Sequence, residues 1–463
     1  MKLAFRETML ILTLALALTL DISGALHVYG LGFVMSQRYA LLVSGLLLIC
    51  AAAWLVCSVW FDRANEQAIH FDWGRLLAGA ALLIWLASCY NGIWLLAEQL
   101  SWVWLLVALS GVVLFVRALV RPISNLALAC WAALFGSCAR LLAFDDLEIV
   151  PQNGDMLPLV QAALANLLEG RNPYQIYRMP WEVPLTYLPV TWLAYLPSFQ
   201  LGLDIRITNI AAELSIGAAL VWLSRALKDR PSQQKDVDLA LAVWACIFLQ
   251  PSSVNWALST SAPIFWACLV FGLVLLLAER HWQAALALGL AAAASPLSVI
   301  VMPFVALFWL RRFGWYRTAG YLLLFGGLFG LLVAPFLLWS PESFLFGVWR
   351  WFNDNSLYPR LRWDMDHTWA RMPGLSGIFW RRGLEYLLKP IQMLLMLALL
   401  VWFVRHGALG RLLAPTIVAA YILFTVFNPV VWPYFYVPAL VMALVALAAL
   451  ERPEAPVAPL GDA

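Results

Sequence analysis

Long apolar runs separated by short polar breaks dominate this chain. Apolar runs of about 20 residues with few or no charges are long enough to cross a bilayer as helix. They predict spans near 8–26, 40–60, 76–96, 99–117 and 123–143, and again near 204–226, 238–256, 260–278, 318–339, 389–404, 412–428 and 431–450. Residues 239–278 carry no charge, and Gln250-Pro251-Ser252-Ser253 predicts a break in their middle. Residues 412–450 divide in the same way around Asn428-Pro429 and Trp432-Pro433. The run 282–310 has Ser295-Pro296 near its middle and basic residues at both ends, which predicts two short helices folded as a hairpin. The fold class expected is all-α: a polytopic membrane protein of about 12–14 transmembrane helices.

Two stretches depart from this pattern. Residues 144–203 and 340–388 are long and polar. The short basic loops are Arg117/Arg121, Lys228-Asp229-Arg230 with Lys235, Arg280, Arg311-Arg312 with Arg317, and Arg405 with Arg411. All fall on one side when the N- and C-termini are cytoplasmic, which leaves both long loops outside. Between Asp155 and Glu169, residues Leu157, Val160, Leu164, Leu167 and Leu168 share one helical face, as an interfacial helix requires. Residues 183–203 are uncharged, but Pro184, Pro189 and Pro197 interrupt them, so they are expected to lie in the outer interface.

The expected organisation has four parts. Residues 1–122 are accessory transmembrane helices, 123–312 a core with the first loop, 313–451 the C-terminal helices with the second loop, and 452–463 a disordered cytoplasmic tail. Lys2 and Arg6 before the apolar run Met9–Leu20, with Ser23-Gly24-Ala25 after it, imitate a signal peptide. The long hydrophobic chain that follows favours a retained first span.

Composition fits the pattern. Of 463 residues 63% are apolar and 12% charged, about half the charge that a water-facing surface carries. The net charge of +3 gives no basic field for nucleic acid. Seven cysteines, an odd number with no CxxC and no nearby His, read as packing residues rather than disulfides or a zinc site.

The chemistry gathers in the loops. Asp145, Asp146, Asp155 and Glu182 stand just outside a predicted span. A carboxylate at a lipid interface can deprotonate a hydroxyl acceptor, and partial desolvation makes it a better base. Asp155 has a second role open to it, since Gly154-Asp155 heads the predicted loop helix, where Asp caps exposed amides. The second loop supplies Arg350, Arg360, Arg362, His367, Arg371, Arg381, Arg382 and Lys389, interleaved with Trp349, Trp351, Trp363 and Trp369. Arg suits bidentate phosphate contacts, and Trp faces suit a sugar ring. Arg206 and Glu213, seven residues apart, are charges inside a span, which mark either a site or pairs with neighbouring helices. Arg140 is expected to snorkel or to pair with Asp145.

These residues carry a resemblance. Asp155, then Glu169-Gly170-Arg171-Asn172-Pro173-Tyr174, then Pro184-Leu185-Thr186-Tyr187-Leu188-Pro189 resembles the first external loop of the GT-C glycosyltransferase superfamily, most closely its polyprenyl-phosphate-mannose-dependent mannosyltransferases. Gly202-Leu203-Asp204-Ile205-Arg206 before a span resembles the next element, and residues 283–312 resemble the Ala/Gly-rich short helices that follow. The likeness covers about 124–312. The family's doubled proline is reduced here to Leu188-Pro189, and Ser295 stands where a Lys is common.

The resemblance implies that Asp155 is the catalytic base and Glu182 a second catalytic carboxylate. It implies transfer of a sugar, with inversion, from a polyprenyl-phosphate donor to a lipid, glycan or protein hydroxyl at the outer face of the inner (plasma) membrane. Tyr174, Tyr187, Arg206, His367, Arg371 and Lys389 are the expected substrate-binding residues. No cofactor or metal ligand set is expected, and Asp145-Asp146 is where a metal would first be sought. A multi-pass transporter or a flippase for lipid-linked glycans is the alternative, and it would need polar residues along the spans.

Overall fold

The computed structural model describes residues 13, 37–60, 101–120, 125–226, 237, 240, 241, 243–245, 247–351, 374–408, 410–428 and 433–448. Apart from Thr13, the predicted spans 8–26 and 76–96, the signal-like segment and the tail 452–463 lie outside the described residues, as do His367 and Arg371.

The described chain is nearly all-α. Helices Gln37–Trp60, Ser101–Val120, Asn125–Leu142, Arg206–Ala226, Leu388–Arg405 and Gly410–Val426 stand where the apolar runs predict them. The all-α expectation needs one correction. Inside the first loop, Ile176–Arg178 pairs antiparallel with Glu182–Pro184, with Tyr177 opposite Val183. Both of those residues are buried while Ile176 and Arg178 are exposed, so the hairpin presents one face to the core.

Among the described residues, three helices are long and apolar enough to cross a membrane: Arg206–Ala226, Met302–Trp339 and Glu385–Arg405. A fourth span is made if Ser253–Ser259 and Ala262–Leu277, bent by 116°, count as one. Met302–Trp339 is itself interrupted. Gly314 has φ 73 and ψ −178, so a 12-residue helix precedes it and a longer one follows. Other apolar helices, such as Ala129–Leu142 and Leu412–Val426, are shorter.

Ala262–Leu277 lies at the centre, packed against Arg206–Ala226, His281–Ala294 and Val437–Ala448. It is covered along most of its length, with Phe271 37% exposed, and Leu269, Val270 and Val274 are sealed from solvent. The outer helices differ. Leu331 and Leu338 are 71% and 78% exposed, and Met393 is 72% exposed. Apolar faces of this extent are unfavourable in water and natural against lipid chains.

Two breaks shape the core. His281–Ala294 ends at Ser295-Pro296, a 3-10 turn follows, and the chain returns along Met302–Phe313. The His281 and Phe313 rings meet at 4.6 Å, so both basic ends of this hairpin lie together. The other break begins where the sequence expects it, at Gln250, which is extended with φ −70 and ψ 147. Pro251 opens a short helix, Pro251–Ser259, because proline is tolerated in a first turn, where its missing N–H has no partner to lose. The sharp bend falls at Thr260-Ser261, before Pro263.

Candidate functional site

Asp155 is set by the glycine before it. Gly154 has φ +155, a conformation that side chains avoid, and a Cβ there would lie 2.8 Å from the Ser259 carbonyl oxygen. Glycine alone lets the head of the loop helix Met156–Leu168 rest on the bend of the broken helix. Asp155 occupies the N-cap position of that helix, yet its φ and ψ are −76 and −15 and its side chain makes no cap hydrogen bond. The capping role open to it in the sequence is therefore not the one it takes. The half-buried carboxylate lies near Tyr187. Burial, and then the Asp155 charge, push the Tyr187 hydroxyl well above the usual tyrosine range. Tyr187 therefore stays protonated at any physiological pH. Tyr434, from the C-terminal turn Pro433–Tyr436, acts on the same hydroxyl and stacks edge-on against Trp256.

The rest of the loop holds this head in place. The loop helix ends in a Schellman motif: Gly170 has φ +72, its N–H donates to Leu167, and the Arg171 N–H donates to the Asn166 carbonyl. Asn172 Oδ1 then accepts from the Tyr174 N–H at 2.9 Å, which turns the chain inward. The Tyr174 hydroxyl donates to the Tyr187 carbonyl at 2.8 Å and accepts from Trp192 Nε1 at 3.2 Å. Burial pushes this hydroxyl above the usual range as well. Its ring is 1% exposed and packs 4.7 Å from Phe344. Tyr174 is a buried post that fixes Tyr187, and its single donor is already used.

The two long loops meet. A Cβ on Gly347 of the second loop would strike the Leu185 carbonyl of the first, and Phe344 packs on Tyr174. Behind them, Thr191 donates to the Ala294 carbonyl at 2.6 Å, capping the helix that ends at Ser295. Asp155, Tyr187, Tyr434 and the bend at Thr260-Ser261 thus gather where both loops join the bundle.

Other expected site residues stand elsewhere or are already engaged. Glu182 is exposed on the hairpin, facing Arg178 at 4.0 Å. Arg206 is buried, and its guanidinium holds Asp204 at 2.5–3.1 Å and donates to the Phe144 and Leu147 carbonyls. It also lies 4.3 Å over the Phe144 ring. Arg206 pins the start of the first loop to its own helix. Lys389 is exposed at the head of Leu388–Arg405. Arg140 differs from expectation, since its partner is Glu213 at 2.8 Å and not Asp145. Both are buried. Ser253 bridges them, accepting from Arg140 at 3.0 Å and donating to Glu213 at 2.9 Å. Among the described residues, no three His, Cys, Asp or Glu side chains gather to hold a metal ion.

Tyr434, Asn209 and the bend itself are additions to the sequence reading. Asn209 accepts from the Tyr195 hydroxyl and donates to the Ala257 and Thr260 carbonyls at 2.7 Å each. An Asn one turn into an apolar span was the available signal. No family model, no curated protein and no solved structure matches this chain.

Proposed function

We propose that this chain is a polytopic inner-membrane glycosyltransferase of the GT-C type, which moves a sugar from a polyprenyl-phosphate donor to a hydroxyl acceptor at the outer face. The observation that carries the reading is Asp155: a carboxylate at a helix head, released from capping, half-buried beside Tyr187 where the two outer loops meet. Partial burial suits a general base. Asp155 takes the proton of the acceptor hydroxyl as its oxygen bonds to the anomeric carbon. The bond from that carbon to the phosphate oxygen breaks with its electron pair, and polyprenyl phosphate leaves. The base and the leaving group stand on opposite sides of the carbon, so the sugar is inverted. Tyr187, protonated and held by Tyr174, shapes the wall on which the acceptor rests.

Two features favour an enzyme over a transporter. The buried charges Arg140 and Glu213 are matched with one another rather than spaced along a path. Asp155, Tyr187 and Tyr434 gather where the two long loops join the bundle.

The test is transfer by the full chain in nanodiscs, offered a panel of polyprenyl-phosphate sugars with lipid and glycan acceptors. One donor should be consumed by the wild type and spared by Asp155→Asn. Equal turnover by the two proteins removes Asp155 from the reaction, and turnover of no donor removes the reading.

A further inference from the structure

A helix that breaks among apolar neighbours leaves two sets of backbone groups to satisfy: the carbonyls that end the first half and the amides that open the second. The bend at Thr260-Ser261 treats them differently. On the first side, Asn209 Nδ2 serves the Ala257 and Thr260 carbonyls. Ser259 and Thr260 turn their hydroxyls back to the Asn255 and Trp256 carbonyls at 2.8 Å. On the second side, Ser261 holds the N-cap position of the 16-residue helix Ala262–Leu277 and makes no cap hydrogen bond. Its residue is 0% exposed and its Oγ has no hydrogen-bond partner. A Ser at an N-cap ordinarily bonds an amide of the first turn, and a buried hydroxyl is ordinarily satisfied. Both rules fail at one atom.

That atom lies close along the chain to the contact that carries the proposed base. Gly154 rests on Ser259, so Asp155 is one residue from the contact on one side and Ser261 is two residues from it on the other. A helix head offers amide donors and the positive end of the helix dipole. We propose that the Ser261 hydroxyl and the first amides of Ala262–Leu277 form a subsite for a phosphate ester, that of the lipid-linked donor. The assignment rests on the glycosyl-transfer reading and gives that reaction its missing half. As the anomeric C–O bond breaks, negative charge grows on the phosphate oxygen, and a fixed helix head stabilises it without reorganising. Inversion requires this anion site to lie across the sugar from Asp155. In this arrangement Ser261 spends its hydroxyl on the ligand rather than on its own helix.

The same chemistry could come from a phospholipid headgroup, so the experiment separates the two. Full-length protein in phosphatidylcholine nanodiscs is titrated calorimetrically with citronellyl phosphate, and again in discs containing phosphatidylglycerol. The wild type should bind citronellyl phosphate. Ser261→Ala should weaken binding roughly tenfold, the worth of one hydrogen bond to a charged group. Ser261→Asp, which puts a like charge on the helix head, should weaken it more. Melting curves identify any variant that fails to fold, and Ser261→Ala is the milder of the two. Asp155→Asn should bind at least as tightly as wild type, since it removes a negative neighbour. Equal affinity of wild type and both Ser261 variants, or no binding by wild type, overturns the subsite. Competition by phosphatidylglycerol overturns the donor assignment. An Asp155→Asn protein that still transfers sugar would sink the glycosyl-transfer reading while leaving Ser261-dependent phosphate binding intact, so the two failures are distinct.

Discussion

Glu213 and Asp155 are both carboxylates withdrawn from bulk water, and what surrounds them differs in kind. Glu213 sits in mid-bundle, with Arg140 on one oxygen and Ser253 on the other. Arg140 in turn donates to the Gly136 carbonyl and to Ser253, and lays its plane 3.9 Å from the Phe248 ring. That network is closed, because every charge in it has a fixed partner. Asp155 lies at the edge of the bundle, half-buried, with a tyrosine and a helix bend for company. Surroundings of the first kind hold helices together, and the edge of the bundle is where the proposed reaction needs its base. The lesson is that the place of a withdrawn charge in the bundle, and what it lies against, decide whether it reads as structural or as a candidate for chemistry.

The largest expected effect tests the closed half. Glu213→Ala should destabilise the protein by about 3–5 kcal/mol, because it strands Arg140 without a counter-charge. Replacing both residues by apolar ones of similar volume should recover most of this loss. Thermal melting in detergent reads both variants, and a single variant that melts like wild type would show the pair to be dispensable.

Next comes the open half. Asp155→Asn should lower transfer by about 100-fold or more while the melting temperature stays put, since no cap hydrogen bond is lost. A comparable fall in melting temperature would make Asp155 a second structural carboxylate and erase the contrast.

Gly154→Ala should fall between the two. The strained backbone and the contact with Ser259 should cost about 1–3 kcal/mol, and activity should drop with it because Asp155 is carried out of place. A variant that loses stability but keeps full activity would separate the base from its support. The smallest effect is that of Tyr174→Phe, which removes a donor to the Tyr187 carbonyl and an acceptor from Trp192. It should cost about 1 kcal/mol and reduce transfer modestly, measured as kcat at saturating acceptor.

The apolar runs placed most helices because a 20-residue uncharged stretch has few alternatives to helix when it must lie against lipid. The hairpin 176–184 escaped, since three residues per strand give too short an alternation to register. The break at Gln250-Pro251 is legible because proline marks it, whereas the sharper bend at Thr260-Ser261 falls ten residues on, where no comparable local signal stands. Gly170-Arg171-Asn172-Pro173-Tyr174 was legible as a motif but not in its role. Its glycine, asparagine and tyrosine serve a Schellman end, an Asx turn and a buried post. Asp155 was legible as a candidate. Its freedom from capping, and the arrival of Tyr434 from the far end of the chain, depend on tertiary packing that no local pattern encodes.

The first turn of Arg206–Ala226 holds two things at once. Arg206 grips the Phe144 and Leu147 carbonyls, and three residues on Asn209 grips the carbonyls of the bend. Asp155 is carried by the first of these segments and rests on the second. Both are therefore gauged from one short stretch of helix rather than across the width of the bundle. Bilayers thin, thicken and tilt the helices within them, and a site measured between distant helices would drift out of tolerance with each change. In a bilayer, a site referenced to a single turn would move as a unit, its internal distances buffered against changes in lipid thickness.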